Sequence, residues 1–135
     1  MTMSQENVEI VREVFEAFNS EDIERTLALA HADLEIEIPA ELSAEPDVYR
    51  GPDGMRRYFQ SFQDVMKEIR FHPERFWDLG ESVVVAIRLT ANGRQTTIPV
   101  EQRSAGLWTI CEGKVIHVRA YPSAEDALTA AGLDG

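Results

Sequence analysis

In the N-terminal half of the chain apolar residues recur mostly every three or four positions; in the C-terminal half the period falls to two. Val8, Val11, Val14, Phe15 and Phe18 predict an amphipathic helix over 5–19, with Ser4 as its cap and Glu6, Glu9, Arg12, Glu13 and Glu16 on the wet face. Asn19-Ser20 interrupts it. Ser20 or Asp22 then caps a second helix over 22–31, with Ile23, Leu27 and Ala30 turned inward. Residues 34–38 alternate strictly, Leu-Glu-Ile-Glu-Ile, and Pro39 ends them as a strand. The stretch 40–51, with Pro46 and Gly51, reads as a loop. Pro52 opens a third helix over 52–68, with Met55, Tyr58, Phe59, Phe62, Val65, Met66 and Ile69 as its apolar set.

Four strands follow. The first covers 70–79, with an irregularity near Pro73. The second runs over 81–91 around Val83-Val84-Val85-Ala86-Ile87 and turns at Asn92-Gly93. A long strand over 95–110 turns at Glu112-Gly113 into the last, 114–121. Ser123 caps a short helix over 124–131 that Gly132 terminates. The order ααβαββββα is an α+β plan: a curved, mainly antiparallel sheet, with the N-terminal helices packed on its concave face. A bent sheet closed by helices is a cone, and its hollow is a natural pocket.

Composition narrows the functional classes. A length of 135 residues implies one domain over 1–135, and 44% hydrophobic residues supply a packed core. Against 13 basic residues stand 24 acidic ones, a net charge of −11, which repels nucleic acid and anionic membranes. No apolar run approaches the ~20 residues of a transmembrane helix, and Met1–Asn7 lacks the marks of a secretory signal. The single cysteine, Cys111, excludes an intrachain disulfide, and its surroundings make it inert rather than nucleophilic. His31, His72 and His117 are scattered, which argues against a Cys/His zinc site. The expectation is a cytoplasmic protein working without metal or cofactor.

Several segments carry a family likeness: the helix pair before Leu34–Ile38, the Arg50-Gly51-Pro52 start of the third helix, the run Glu112-Gly113-Lys114-Val115-Ile116-His117-Val118-Arg119-Ala120-Tyr121 and the ending Ala127-Leu128-Thr129-Ala130-Ala131-Gly132-Leu133. Together they resemble the SnoaL-like branch of the nuclear-transport-factor-two-like (cystatin-like) superfamily, which includes ketosteroid isomerases, polyketide cyclases and limonene-epoxide hydrolases. The resemblance implies the cone fold and, by itself, no single chemistry. The isomerases' oxyanion-donating tyrosine falls here on Val14, their general-base aspartate on Ile38, and their second aspartate on Gln102 or Gly106. Neither valine nor isoleucine transfers a proton, which argues against steroid-type isomerisation. The hydrolases' last-strand aspartate falls on Ala120, within Arg119-Ala120-Tyr121.

Strand parity then assigns the lining. Leu34, Ile36 and Ile38 point inward, and Glu35 and Glu37 outward. Val83, Val85, Ile87 and Leu89 are inner, as are Ile116, Val118 and Ala120; by the resemblance so are Gln102, Ser104, Gly106, Trp108 and Ile110. The expected ligand pocket takes Phe15 and Phe18 from the first helix and Tyr58, Phe59 and Phe62 from the third. The strands add Ile38, Val85, Ile87, Gln102, Trp108, Val118 and Ala120. Tyr58, Gln102, Ser104 and the Trp108 indole N–H are its polar handles.

The outer face, with Val84, Ala86, Arg88, Glu101, Arg103, Ala105, Leu107, His117 and Arg119, has no predicted helix over it, and the resemblance implies a homodimer through it. Its arginines are expected to pair with Glu101, Glu35 or Glu37. His31 beside Asp33 reads as a solvated histidine at a helix end more readily than as a general base. His72 reads as a surface residue and His117 as an outer-face one. Two functions fit: a pocket for an apolar small molecule, with or without proton-transfer catalysis, and a non-catalytic dimeric module whose pocket is filled.

Overall fold

The computed structural model describes residues 3–38, 47–93 and 98–132, except the side chains of Met3, Ser4, Asp47 and Val65. Its elements are α1 (Met3–Asn19), α2 (Ile23–Ala28), β1 (Ala30–Ile38), β2 (Asp47–Arg50), α3 (Gly51–Val65), β3 (Met66–Asp78), β4 (Ser82–Gly93), β5 (Pro99–Cys111), β6 (Lys114–Tyr121) and α4 (Ala124–Ala130). One six-stranded sheet runs in the order β2-β1-β6-β5-β4-β3. Only β1 and β6 pair in parallel; the other neighbours are antiparallel. The α+β plan with a mixed sheet is therefore as predicted, with one added edge strand.

The periodicity that predicts α1 is the one that buries it: Val11, Val14 and Ala17 are fully buried and Phe15 and Phe18 nearly so. Its C-terminal residue does more than break the helix. The Asn19 amide accepts from the Phe71 backbone N–H at 2.7 Å and donates to the Phe71 carbonyl at 2.9 Å. Because β3 is a sheet edge, this side chain supplies the bonds a further strand would have made. Asp22 caps α2 by accepting from the Arg25 N–H at 3.1 Å. Ser123 does the same for α4 with the Asp126 N–H, at 3.2 Å.

Several boundaries differ from expectation. α2 stops at Ala28, and Ala30–Asp33 join β1, whose pairing with β6 is irregular between Ala30 and Glu35. Residues 47–50 of the expected loop form β2, paired with 35–38; residues 39–46 lie outside the described part. Ser4 falls inside α1, which begins at Met3, rather than ahead of it as a cap. The third helix ends at Val65, and β3 begins at once. Asn92 and Gly93 are strand residues rather than the turn: Asn92 pairs with both Lys67 and Pro99, so the connection runs through 94–97, outside the described residues. At Glu112-Gly113 the turn is as predicted, with φ of 54° and 75°, the pair of left-handed residues a tight hairpin needs.

The two faces of the sheet have separate cores. On the concave side α1 and α3 press Val11, Val14, Phe15, Phe18 and Met55 against Leu34, Ile36, Val83, Val85, Trp108, Val115 and Val118. On the convex side α4 lays Ala127 and Leu128 over Val84, Ala105 and Leu107, flanked by Trp77, Leu79 and Tyr121. This corrects the expectation of a bare outer face, since Val84 and Ala105 are already covered within one chain. Ile116 is the other correction. The step from Thr109↔His117 to Ile110↔Val115 passes over it as a bulge, so Val115 rather than Ile116 is buried in the concave core.

Candidate functional site

Between the concave face and the helices lies a cavity of about 100 Å³. That is room for a few waters or a molecule on the order of benzene in size. From the helices Phe15, Phe18, Met55, Tyr58 and Phe62 line it; from the sheet come Ile36, Ile38, Phe71, Ile87, Leu89, Val118 and Ala120, with Gln102, Ser104, Ala105, Gly106 and Trp108 along β5. Among the residues expected there, two are placed elsewhere. Val85 is fully buried in the concave core and is not among the lining residues, because the Trp108 indole lies over Gly106, its partner in register. Phe59 stacks on Phe18 at 5.4 Å and lines a neighbouring crevice of about 10 Å³, with Glu21, Gln63 and Ile69 at its rim.

Met55 and Phe71 line the cavity although the sequence pattern does not assign them to it. The signal for Phe71 is masked by Pro73: β3 shifts register between Pro73 and Arg75, so parity cannot be carried along that strand. Phe71 is the hub of the aromatic wall, with ring centroids 6.1 Å from Phe15, 5.6 Å from Phe18 and 5.5 Å from Phe62. The Asn19 clamp holds its backbone. Phe62 and Tyr58 meet edge to face at 5.0 Å and separate the cavity from the outer crevice, whose lining they share.

Polar chemistry in the cavity is sparse. Among the described lining residues there is no Asp, Glu, His, Lys or Arg. Tyr58 is the one oxygen acid, and burial, with a smaller contribution from Tyr49, holds its phenol well above its ordinary value of 10.0. It is a proton-bearing donor throughout the physiological range. Trp108, 5% exposed, lies 5.2 Å from Phe15, and its Nε1 is a buried donor with no hydrogen-bond partner among the described residues. Gln102 and Ser104 add an amide and a hydroxyl on the same strand face.

The histidines stay out of the cavity. His31 is in β1 rather than at a helix end, and its Nδ1 accepts from the Asp33 backbone N–H at 3.0 Å. His72 Nε2 is 2.9 Å from Thr90 Oγ1. His117 Nε2 is 2.8 Å from Glu37 Oε2 on the outer face. The outer arginines pair differently from expectation: Arg103 and Arg88 both reach Glu74, at 2.9 and 3.8 Å, while Glu35 takes Arg50. Glu74 sits at the β3 irregularity, which is what swings it onto this face. Arg119 instead stacks over Tyr121, 5.5 Å from the ring centre. Among the described residues no cluster of His, Cys, Asp and Glu could hold a metal, and no helix is long and apolar enough to cross a membrane.

The family model of the SnoaL-like domain matches residues 11–118, most of the chain and every strand that walls the cavity except β6's last residues. The chain belongs to the SnoaL-like domain family. Solved structures agree with the fold. An NTF2-like protein of unknown function from Burkholderia pseudomallei superposes with a TM-score of 0.79 over 96% of this chain and 97% of its own, at 20% identity. An NTF2-like protein from Burkholderia xenovorans gives 0.75 over 93% and 95%, at 28% identity. The epoxide hydrolase/cyclase-like enzyme SalBIII, described in pyran ring formation in the polyether salinomycin, gives 0.74 over 90% and 93%, at 25% identity. No curated protein matches the chain.

Within this SnoaL-like domain the structure locates the positions onto which the resemblance places the catalytic residues of the isomerases and hydrolases. Val14 is fully buried in the core. Ile38, Gln102, Gly106 and Ala120 all line the cavity. The register fixes Gln102 opposite Leu89 and Gly106 opposite Val85, so both β5 candidates face inward and neither is an acid.

Proposed function

We propose that this SnoaL-like domain binds a compact, uncharged, largely apolar small molecule in the concave cavity. The observation that supports it most is a lining of aromatic and aliphatic side chains around unfilled space, with donors but no charged group among the described residues. An ion entering there would lose its hydration without gaining a counter-charge, which disfavours carboxylates and amines by several kcal/mol, on the order of the penalty for burying an unpaired charge. A proton shuttle between carboxylate and substrate finds no carboxylate among the described lining residues, so the reading is of binding, with Tyr58 able to polarise a bound oxygen but no base among those residues beside it.

The test uses Trp77→Phe, which removes the convex-face indole and leaves Trp108 as the reporter. Toluene should change the Trp108 emission saturably, and benzoate should need at least a tenfold higher concentration. Two flat titrations, or benzoate binding as well as toluene, would overturn the reading.

A second copy of the chain is proposed on the part of the convex face that α4 leaves open, where Glu101 and Arg103 are exposed. Sedimentation equilibrium should give the mass of two chains, and a single-chain mass refutes the dimer. Ala105→Glu is not a test of it, because Ala105 is covered by α4.

A further inference from the structure

We infer that the cavity selects a molecule bearing an oxygen acceptor, a carbonyl or ether on a compact ring, through the Trp108 indole N–H, and that Gly106 is the residue that positions this donor. The inference rests on the binding reading above and adds the chemistry of the ligand and its contact.

Two observations carry it. First, Trp108 Nε1 is buried and unpartnered. An indole nitrogen can only donate, and a buried donor without an acceptor carries an uncompensated desolvation cost. Trp108 and Gly106, the residue its Nε1 rests against, both line the cavity, so the acceptor that relieves this cost would come from the cavity's occupant. Second, a Cβ built on Gly106 would lie 2.6 Å from Trp108 Nε1 and 3.1 Å from Cδ1. The indole edge therefore rests directly on the bare Gly106 Cα, two residues away on the same strand face. Gly106 lacks the left-handed φ that marks Gly51, Gly80, Gly113 and Gly132. Its backbone would accept any residue; what excludes a side chain is the indole. Any larger residue at 106 must push the N–H edge out of its place.

The neighbourhood fixes the rest of the ring. Phe15 packs against Trp108 at 5.2 Å, and Val83 and Val118 flank it in register on β4 and β6. One edge on Gly106 and these neighbours around it hold the indole from several sides, and a held donor is what discrimination between ligands needs.

Two isosteric probes separate the ideas. Cyclohexanone and methylenecyclohexane share a ring and differ in an oxygen against a CH2 group. In ¹H–¹⁵N spectra of the Trp77→Phe protein, cyclohexanone should bind about tenfold more tightly and move the Trp108 Nε1–H proton downfield; methylenecyclohexane should bind without that downfield shift. Trp108→Phe, which keeps an aromatic ring in the wall, should bring the two affinities within about twofold. Gly106→Ala keeps the indole but displaces it, and should cut the preference likewise while methylenecyclohexane still binds. Equal affinities in the parent, or a preference that survives in Trp108→Phe, would overturn the donor assignment and leave the pocket standing. A preference unchanged in Gly106→Ala would overturn the role of Gly106. If neither probe binds the parent, the pocket reading itself fails, and this inference with it.

Discussion

The two faces of the sheet are covered by different means. On the concave side two helices, α1 and α3, bring large aromatic side chains that meet ring to ring and leave space between them. On the convex side one short helix, α4, brings Ala127 and Leu128 and fits closely over Val84 and Ala105. Beyond α4 the convex face is finished by polar pairs: Glu74 with Arg88 and Arg103, His117 with Glu37, His72 with Thr90. Small residues pack without remainder, whereas rigid rings on a curved floor do not. The hollow is thus a consequence of which residues face inward, and the convex face under α4 is closed by small side chains.

Substitutions should separate these roles. Phe15→Ala removes a ring that touches Phe18, Phe71 and Trp108. It should cost about 3–5 kcal/mol in urea unfolding and loosen the Trp108 indole, weakening cyclohexanone binding. Ala127→Asn places an unpartnered amide where α4 is fully buried, and should cost about 1–3 kcal/mol while leaving toluene binding intact. Loss of binding in that variant would show the faces to be coupled.

Tyr58 gives a pH-dependent contrast. Its phenol pKa is raised in the folded protein, by burial first and Tyr49 second, above its ordinary 10.0. Below that value both states hold the proton and Tyr58 adds no slope. Above it the unfolded chain ionises first, so this contribution to stability is lost as pH rises towards the folded value. Between about pH 9 and about pH 11 the parent should lose more stability than Tyr58→Phe, and parallel curves would contradict the burial of this phenol. The smallest effect belongs to Glu74→Ala: its pairs are partly exposed, and the cost should be under about 1 kcal/mol, shrinking with salt.

Most of the concave wall is legible in the sequence because strand parity is a strong constraint wherever one face is buried. The alternation in Leu34–Ile38 and Val83–Leu89 assigns Ile38 and Ile87 to the cavity side, where both are found, and α1's spacing does the same for Phe15 and Phe18. Parity fails where a bulge adds a residue. Ile116 and Glu74 lie at such points, and no local signal beyond Pro73 announces them. β2 escapes the pattern because four residues that pair at an edge need no alternation. The place of α4 escapes it for another reason: Ala127 and Leu128 are an ordinary apolar pair, and only the tertiary fold says which face of the sheet they cover.

The most direct measurement is a crystal of this protein pressurised with xenon, which enters apolar cavities without needing a hydrogen bond. The account predicts a xenon site between Phe15, Phe62, Phe71 and Trp108. A xenon-free hollow, with Phe62 or Trp108 turned to fill it, would contradict the claim that this domain keeps an open binding cavity.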